Sequence, residues 1–333
     1  SCASQTTVPE FDQSPQFQDG KFHNLCSFEM MSLSQTLKVI GRYITEQRMD
    51  VTPEKRVPMQ TLTPERLAQE SGDEISIYRL GHSSLLLSIR QEFWLIDPVF
   101  SERASPVSWA GPKRFHPTPI DISDLPPIRG VVISHDHYDH LDRDSIRQLK
   151  AKTDHFITPL GVGERLKDWG IPDQKIHQLD WWQSVSLGQL QLTATPAQHF
   201  SGRGIGDSNK TLWASWVINS EQQRLFYSGD TGYFDGFKQI GERFGPFDLT
   251  LMENGAYDQN WSNVHMQPEE TLQAHRDLRG KTLMPVHNGT FDLAFHPWHE
   301  PFQRITNLAA KAGIPIVTPI VGEQVKVASP PPQ

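Results

Sequence analysis

Short apolar runs recur along most of the chain, and runs of this length and composition predict β-strands. They lie at residues 75–80, 84–89, 93–96 and 130–133 in the first half, and at 190–195, 212–218, 224–227, 249–252 and 282–286 in the second. Spacing typical of helices separates them at residues 144–152, 161–169, 268–277 and 301–312. Because strand groups followed by helices occur twice, the sequence predicts an α/β (α+β) fold, a four-layer αββα sandwich built from two halves.

The segment before the first strand has a different pattern. Leu33, Leu37, Ile40 and Ile44 recur every three to four residues, which predicts an amphipathic helix over residues 31–48. The predicted organisation is a tail over residues 1–30, this helix and a proline-interrupted connector over 31–72, a catalytic domain over 73–325 and a tail over 326–333. We expect the first tail to take no part in chemistry.

Composition limits the class of protein. The 333 residues carry a formal net charge of −8, which argues against a nucleic-acid partner. Apolar runs stay far below the roughly 20 residues that span a bilayer. The first residues, Ser1-Cys2-Ala3-Ser4-Gln5, are typical of a bacterial lipoprotein after signal-peptide removal, which predicts a membrane-associated protein anchored through Cys2. An ordinary cysteine in a cytoplasmic protein is the alternative.

A dense group of metal-ligand residues follows the apolar run 131–133. His135, His137, Asp139 and His140 lie within six residues, at the carboxyl end of a predicted strand. Imidazoles and carboxylates without a thiolate are ligands that Zn²⁺ accepts while water completes its coordination. The pattern therefore predicts a catalytic metal site, with a histidine-rich surface loop as the alternative.

More ligands are needed to complete two metal spheres, and three residues have the same position relative to a strand. His199, Asp230 and His287 each follow a predicted strand in the second half of the chain. Taken alone, each would be interpreted as a surface or hydrogen-bonded residue. Their shared position makes them candidate ligands.

These residues carry a resemblance over roughly residues 75–301. The motif His-X-His-X-Asp-His at 135–140, the downstream His199, Gly229-Asp230-Thr231-Gly232 and Val286-His287 resemble the metallo-β-lactamase superfamily. Within it, the N-acyl-phosphatidylethanolamine-hydrolysing phospholipase D family is similar at Gly81-His82-Ser83-Ser84 and at segments 96–106, 111–115, 125–128, 209–213 and 287–291.

The resemblance implies a ligand set for two zinc ions, with Mn²⁺ or Fe²⁺ as alternatives. One ion is held by His135, His137 and His199, the second by Asp139, His140 and His287, and Asp230 bridges them. His82 and Asp97 orient these ligands, or else serve only the local turn structure. Asp136 stands where the family has Asn, and Val264 stands where it has Gln beside His265. The second difference puts head-group recognition in doubt.

The chemistry that this site predicts is hydrolysis. Two ions about 3.5–4 Å apart lower the pKa of a bridging water, so that a metal-bridging hydroxide can attack phosphorus at neutral pH. We expect Asp139 and Asp230 to hold that nucleophile in line. We expect His265 to be catalytic without binding metal, although it could merely fill its loop. The resemblance implies an N-acyl-phosphatidylethanolamine-like phospholipid as substrate.

Such a substrate implies peripheral membrane contact, and the stripe formed by Leu33, Leu37, Ile40 and Ile44 is one candidate surface. The alternative, that the stripe packs on the protein's own body, is favoured by its few positive charges. A homodimer is left open. His275, within the predicted helix 268–277, is expected to be a surface histidine.

Three other functions compete with this prediction. A lactonase or other carboxylic ester hydrolase could use the same pair of metals. A redox di-iron protein usually has glutamate where this chain has His137. A non-catalytic metal-binding interaction protein would be expected to have lost ligands, and all seven are present.

Overall fold

A computed structural model describes residues 11–328 of the chain. In chain order its elements are β1 (Phe17–Gln18), β2 (Lys21–Phe22), α1 (Leu33–Thr45), α2 (Pro64–Ala68), β3 (Ser76–Gly81), β4 (Ser84–Ile89), β5 (Glu92–Ile96), β6 (Ile128–Val132), α3 (Arg143–Leu149), β7 (Thr153–Pro159), α4 (Val162–Asp168), β8 (Ile176–Leu179), β9 (Ser184–Leu187), β10 (Leu190–Thr195), β11 (Ser215–Asn219), β12 (Arg224–Tyr227), α5 (Gly236–Phe244), β13 (Phe247–Glu253), α6 (Pro268–Asp277), β14 (Gly280–Val286), α7 (Glu300–Ala312) and β15 (Gln324–Lys326). Short 3-10 helices lie at Phe11–Gln13, Ile122–Asp124, Lys150–Lys152, Asp173–Lys175 and Gln259–Trp261.

The long strands form two mixed sheets of similar construction. One has seven strands in the order β15-β3-β4-β5-β6-β7-β8, and the other has six in the order β14-β13-β12-β11-β10-β9. Each begins as an antiparallel meander, β3 to β5 or β9 to β12, and continues with parallel strands connected through helices. Both halves therefore repeat one plan.

The apolar side chains form three layers around these sheets. The largest cluster lies between them and includes Trp94 and Ile96 from one sheet and Trp216 and Leu251 from the other. A second cluster covers the outer face of the seven-stranded sheet with α2, α3 and α4. A third covers the six-stranded sheet with α5, α6 and α7. This arrangement confirms the predicted αββα sandwich.

Strand direction gathers the candidate residues at one edge of the sandwich. In the seven-stranded sheet the strands that run in one direction include β3, β5 and β6. In the six-stranded sheet they include β10, β12, β13 and β14. The residues that follow their carboxyl ends therefore share an edge. The two halves touch there, because the backbone N–H of His287 donates to the carbonyl of His82, 3.1 Å away.

The segment predicted as an inert tail is attached to this edge. The Phe22 side chain is fully buried in the cluster between the sheets. Asn24 donates to the carbonyl of His199 at 2.8 Å and accepts from the backbone N–H of the same residue at 3.0 Å. Asn24 thus fixes the backbone of a candidate ligand, while the expectation that this segment takes no part in chemistry stays a prediction. Cys2 and its predicted lipid anchor lie outside the described residues.

Helix α1 turns its apolar stripe to solvent. The side chains of Leu33, Leu37, Ile40 and Ile44 are 77%, 59%, 49% and 80% exposed. The opposite side of the helix is attached through buried Val39. The alternative that the stripe packs on the protein's own body is therefore wrong. No helix among residues 11–328 has the length and apolar character needed to cross a membrane.

His275 corrects another expectation. Instead of lying at the surface, it is 1% exposed, and its Nδ1 lies 2.7 Å from Oγ1 of Thr250 in β13. The His275 side chain lies on the side of α6 that packs against the six-stranded sheet. Burial disfavours the charged imidazole and lowers the pKa of His275 to about 4.

Candidate metal centre

Asp230 lies where the two predicted ligand groups meet. Its Oδ2 is 3.0 Å from Nε2 of His140 and 3.1 Å from Nε2 of His287. The same oxygen is 3.6 Å from Nε2 of His135 and 3.7 Å from Nε2 of His199. A carboxylate with imidazoles on both sides has the position that a bridging ligand requires.

The remaining residues of the set complete two adjoining groups. His135, His137, His199 and Asp230 place one ligand atom each within 4.8 Å of one another. Asp139, His140 and His287 do the same together with His82. The structure therefore brings together all seven side chains that the sequence singled out as ligands. His82, which the resemblance implied as an orienting residue, lies beside them, with its Nε2 2.8 Å from Oδ2 of Asp139.

Hydrogen bonds behind the ligands fix their orientation. Asp97 is the centre of this layer, because its Oδ2 lies 2.8 Å from Nδ1 of His140 and accepts from the Ser134 hydroxyl at 2.6 Å. The Nδ1 of His135 contacts the same hydroxyl at 2.9 Å. His199 Nδ1 lies 3.1 Å from the carbonyl of Val264, so it donates there. Ligand histidines in metal sites are typically held this way through their second nitrogen.

Backbone geometry at the site is unusual for side-chain-bearing residues. The φ angles of His82, Asp97 and His287 are 53°, 41° and 65°. Such left-handed conformations are uncommon outside glycine and cluster at functional sites, where surrounding contacts hold them. The three residues lie in the turns that follow β3, β5 and β14.

Unpaired buried atoms show that these residues fit metal ions. Nε2 of His135 and Oδ1 of Asp230 are buried and have no hydrogen-bond partner within residues 11–328. Leaving such atoms unsatisfied is costly, and imidazole nitrogens and carboxylate oxygens are atoms that divalent metals bind. Burial lowers the pKa of His135 and His199 and so favours the neutral imidazole that a metal requires.

The two carboxylates are suited to the same role. Burial works against their ionisation, but the surrounding histidines more than offset it, and the pKa values of Asp139 and Asp230 lie well below the ordinary range. Both groups are therefore anionic at neutral pH. In number and charge the residues match the donor set of two divalent ions, and His140 and His287, whose pKa values the neighbouring carboxylates raise above the ordinary value, would release a proton on binding metal.

His265 lies beside the predicted ligands. Its ring centroid is 5.3 Å from that of His199 and 5.2 Å from that of His287. Its Nδ1 is 2.7 Å from Oε2 of Glu253, a fully buried carboxylate at the end of β13. Burial lowers the pKa of His265, but the carboxylate of Glu253 outweighs this effect, and the pKa lies above its ordinary value.

Sequence reasoning missed Glu253, although one signal was available. Glu253 ends an apolar run, as Asp230 and His287 follow apolar runs in the strands on either side. Asp230 and His287 were chosen as candidate ligands because each follows a predicted strand, and the same criterion selects Glu253. A lone glutamate without a neighbouring histidine in the sequence belongs to no metal-binding motif.

The structure shows which groups surround Asp136, the carboxylate that stands where the similar family has an uncharged asparagine. This residue is fully buried, and its Oδ2 forms a 2.9 Å ion pair with Nη2 of Arg165. Its carboxylate also accepts from the Thr211 hydroxyl at 2.9 Å and from the Gly202 N–H at 2.8 Å. The added charge is thus neutralised by Arg165.

A cavity of about 330 Å³ opens above the centre. Polar side chains form its floor: His137, Asp139, His199, Asp230, His265 and His287. Its walls are mostly apolar: Phe28, Met30, Met31, Phe200, Ala256, Trp261, Val264 and Leu293. This arrangement can hold an apolar chain with its polar group at the floor.

Comparisons with known proteins agree with this picture. The family described as beta-lactamase superfamily domain matches residues 94–288. Uncharacterized protein Mb0930 of Mycobacterium bovis is 40% identical over 324 residues, which cover 96% of this chain and 86% of that protein. N-acyl-phosphatidylethanolamine-hydrolyzing phospholipase D 1 of Caenorhabditis elegans is 34% identical over 265 residues, covering 76% and 74%. The solved isothiocyanate hydrolase from Delia radicum gut bacteria has a TM-score of 0.61 at 18% identity, covering 76% of this chain and 99% of that one.

Proposed function

Because this chain belongs to the metallo-β-lactamase superfamily, whose members include metal-dependent hydrolases, we propose that it is a binuclear phosphodiesterase of phospholipase D type. Its proposed substrates are N-acyl-phosphatidylethanolamine-like lipids, and its products are a phosphatidic acid and an N-acylethanolamine. The observation that carries the proposal is Asp230, which lies between four imidazoles on the floor of an apolar cavity.

Seven residues would hold the two ions. His135, His137 and His199 would bind one, Asp139, His140 and His287 the other, and Asp230 both. Two zinc ions at these positions would supply a nucleophile at neutral pH and offset charge on the phosphate. Asp139 and Asp230 are anionic and fixed by their histidine neighbours, so they can hold the attacking water in line with phosphorus.

The proton balance of hydrolysis gives His265 a role. Water oxygen bonds to phosphorus, the bond from phosphorus to the ethanolamine oxygen breaks, and that oxygen must receive a proton. His265 lines the cavity, and the carboxylate of Glu253 raises its pKa above the ordinary value, which favours a ring that carries a proton to give. It can therefore donate from Nε2 to the leaving oxygen.

The apolar cavity and α1 support a lipid substrate. Met30 and Met31 line the cavity and immediately precede α1, whose outward stripe begins at Leu33. The apolar surface thus runs from the walls of the cavity to an exposed helix face. A lipid could pass from a bilayer into the cavity along this path, with α1 lying at the membrane surface. Anchoring through Cys2 would add a permanent attachment to this reversible one.

A substrate panel tests the proposed function. Zinc-loaded protein is assayed on N-acyl-phosphatidylethanolamine, a chromogenic phosphodiester, lactones and β-lactams, and its metal content is measured on the same sample. We expect turnover of the phosphodiesters with release of N-acylethanolamine, and about two metal ions per chain. If only lactones were turned over, the phosphodiesterase proposal would be wrong and the alternative, a carboxylic ester hydrolase, would be supported.

A further inference from the structure

Glu253 is a buried charge that the proposed ligand set leaves without a function. Its side chain is fully buried at the end of β13. Its backbone is fixed on both sides, because its N–H donates to the Ser228 hydroxyl at 2.9 Å and its carbonyl accepts from Thr271 at 2.9 Å. A carboxylate held so rigidly in an apolar layer requires partners to offset the cost of its burial.

Both carboxylate oxygens of Glu253 accept hydrogen bonds from the loop that carries His265. Oε1 accepts from the backbone N–H of Met266 at 2.8 Å, and Oε2 accepts from Nδ1–H of His265 at 2.7 Å. One bond fixes the loop and the other fixes the ring. Because both oxygens are acceptors, Nδ1 must carry a proton in either charge state of the imidazole.

The fixed proton determines what His265 offers to the cavity. The ring lies between His199 and His287 and is 14% exposed. With Nδ1 engaged behind it, Nε2 is the nitrogen that remains for a ligand in the cavity. The neutral ring then presents a lone pair at Nε2, and the protonated ring presents a donor at the same atom.

We propose that Glu253 is a positioning residue that acts through His265: it fixes the ring and its Nδ1–H tautomer, so that Nε2 faces the phosphodiester oxygens above the metal centre. The inference rests on the proposed function for the identity of the substrate. The tautomer itself depends only on the hydrogen bonds of the described residues.

Glu253→Gln provides an isosteric test with a defined structural outcome. A glutamine has one acceptor oxygen and one donor amide, so it cannot accept from both Met266 N–H and His265 Nδ1–H. If its oxygen keeps the buried backbone N–H, its NH₂ group faces Nδ1. We then expect the neutral imidazole to move its proton to Nε2, because the tautomer exchange costs less than an unsatisfied buried N–H.

The first measurement is the tautomer of His265 in zinc-loaded protein. Long-range ¹H–¹⁵N correlation spectra identify the His265 signals by their absence in His265→Ala. We expect Nδ1–H in the wild type and Nε2–H in Glu253→Gln. Glu70→Gln changes another buried, hydrogen-bonded carboxylate and serves as the matched control, with the wild-type tautomer retained.

The second measurement is a double-mutant cycle on phosphodiester turnover. Glu253→Gln should lower kcat roughly tenfold or more, with KM and zinc content near the wild-type values. In the His265→Ala background the same change should have less than about a twofold effect, because the residue through which it acts is gone. A merely structural glutamate would add its loss to that of His265→Ala.

The outcomes separate this inference from the proposed function. An Nδ1–H tautomer that persists in Glu253→Gln, or additive losses in the cycle, would overturn the role of Glu253. Wild-type protein without phosphodiester turnover would overturn the proposed function, while the tautomer switch would still support Glu253 as the residue that sets His265.

Discussion

At the scale of single residues, the proposed function gives Asp230 two duties, since its one carboxylate would offset the charge of a metal ion on each side of it. Asp230→Asn removes the charge and keeps the shape. We expect bound metal to fall and turnover to drop at least ~100-fold, because a neutral amide cannot bridge two cations. Metal analysis and steady-state kinetics on the same preparation check this. Wild-type turnover by the variant would refute the two-metal arrangement.

The rings of His265 and His199 are neighbours, but we expect alanine variants of the two residues to differ in metal binding. His265→Ala is expected to retain the fold and both metals while turnover falls at least ~10-fold. His199→Ala is expected to lose metal as well as turnover. The measurements are metal content, circular dichroism and kcat. If His265→Ala lost metal, His265 would be a metal ligand and not only a catalytic residue.

The residues of the candidate site were largely predictable because they obey a positional rule. Parallel strands bring their carboxyl ends to one edge, so the amino-acid sequence alone suffices to group His135, Asp230 and His287. The rule does not give hydrogen-bond partners. Two such pairs are Glu253 with His265 and Asn24 with His199. The members of each pair belong to no common sequence motif, and only tertiary packing brings them together.

At the scale of elements, strongly patterned segments were predicted well. The spans 84–89, 190–195, 224–227 and 268–277 agree with β4, β10, β12 and α6 residue for residue. A continuous apolar run marks 84–89 and 224–227, apolar alternation marks 190–195, and a proline at the first helical turn marks 268–277. The sequence pattern did not predict β1, β2, α2, β7, β8, β9, α5 or β15. A half-buried strand such as Ser184–Leu187 carries a weak apolar pattern, and pairing with β10 stabilises it.

Helix α1 should govern binding to bilayers. Leu37→Asp with Ile40→Asp places two charges on the exposed stripe, and we expect flotation with phospholipid vesicles to fall roughly tenfold or more, since each buried side chain contributes about 1.5–3 kcal/mol. Ile205→Asp changes another exposed isoleucine and serves as the control.

Two results would change the interpretation of α1. Equal flotation of the double variant and the wild type would remove the stripe from membrane binding. Loss of a dimer in sedimentation experiments, with flotation unchanged, would instead make the stripe a contact between two copies of the chain.

Helix α6 should make stability depend on pH through His275. The folded-state pKa is about 4, against an ordinary value of 6.5, because burial disfavours the charged ring. Between these values the unfolded chain binds a proton that the folded protein does not, so stability falls as pH falls from 6.5 towards 4. Wild type should therefore lose about 2 kcal/mol more than His275→Gln between pH 7 and pH 5.

Urea unfolding of metal-free protein at both pH values measures this difference, because chelation removes the contribution of metal release. The glutamine can still bond to Thr250 but does not titrate. Parallel stability curves for the two proteins would show that folding does not lower the pKa of His275.

At the scale of the whole molecule, the candidate metal ligands come from both halves of the sandwich. His135, His137, Asp139 and His140 follow the seven-stranded sheet, whereas His199, Asp230 and His287 follow the six-stranded one. Ions bound only by the folded arrangement stabilise it by mass action. We expect chelation to lower Tm by roughly 5 °C or more, and to have a smaller effect on Asp230→Asn. Unchanged Tm on chelation would mean that metal does not stabilise the fold.

The pairing of β15 with β3 has a consequence for how the protein is made. Gln324 pairs with Tyr78, so the seven-stranded sheet receives its edge strand from a segment translated long after β3. At about 5–20 residues per second, the ribosome needs on the order of ten to fifty seconds to supply it. During that interval β3 offers unpaired N–H and C=O groups to any other extended chain. A nascent copy is therefore most prone to aggregation on the polysome, where neighbouring copies carry the same open edge.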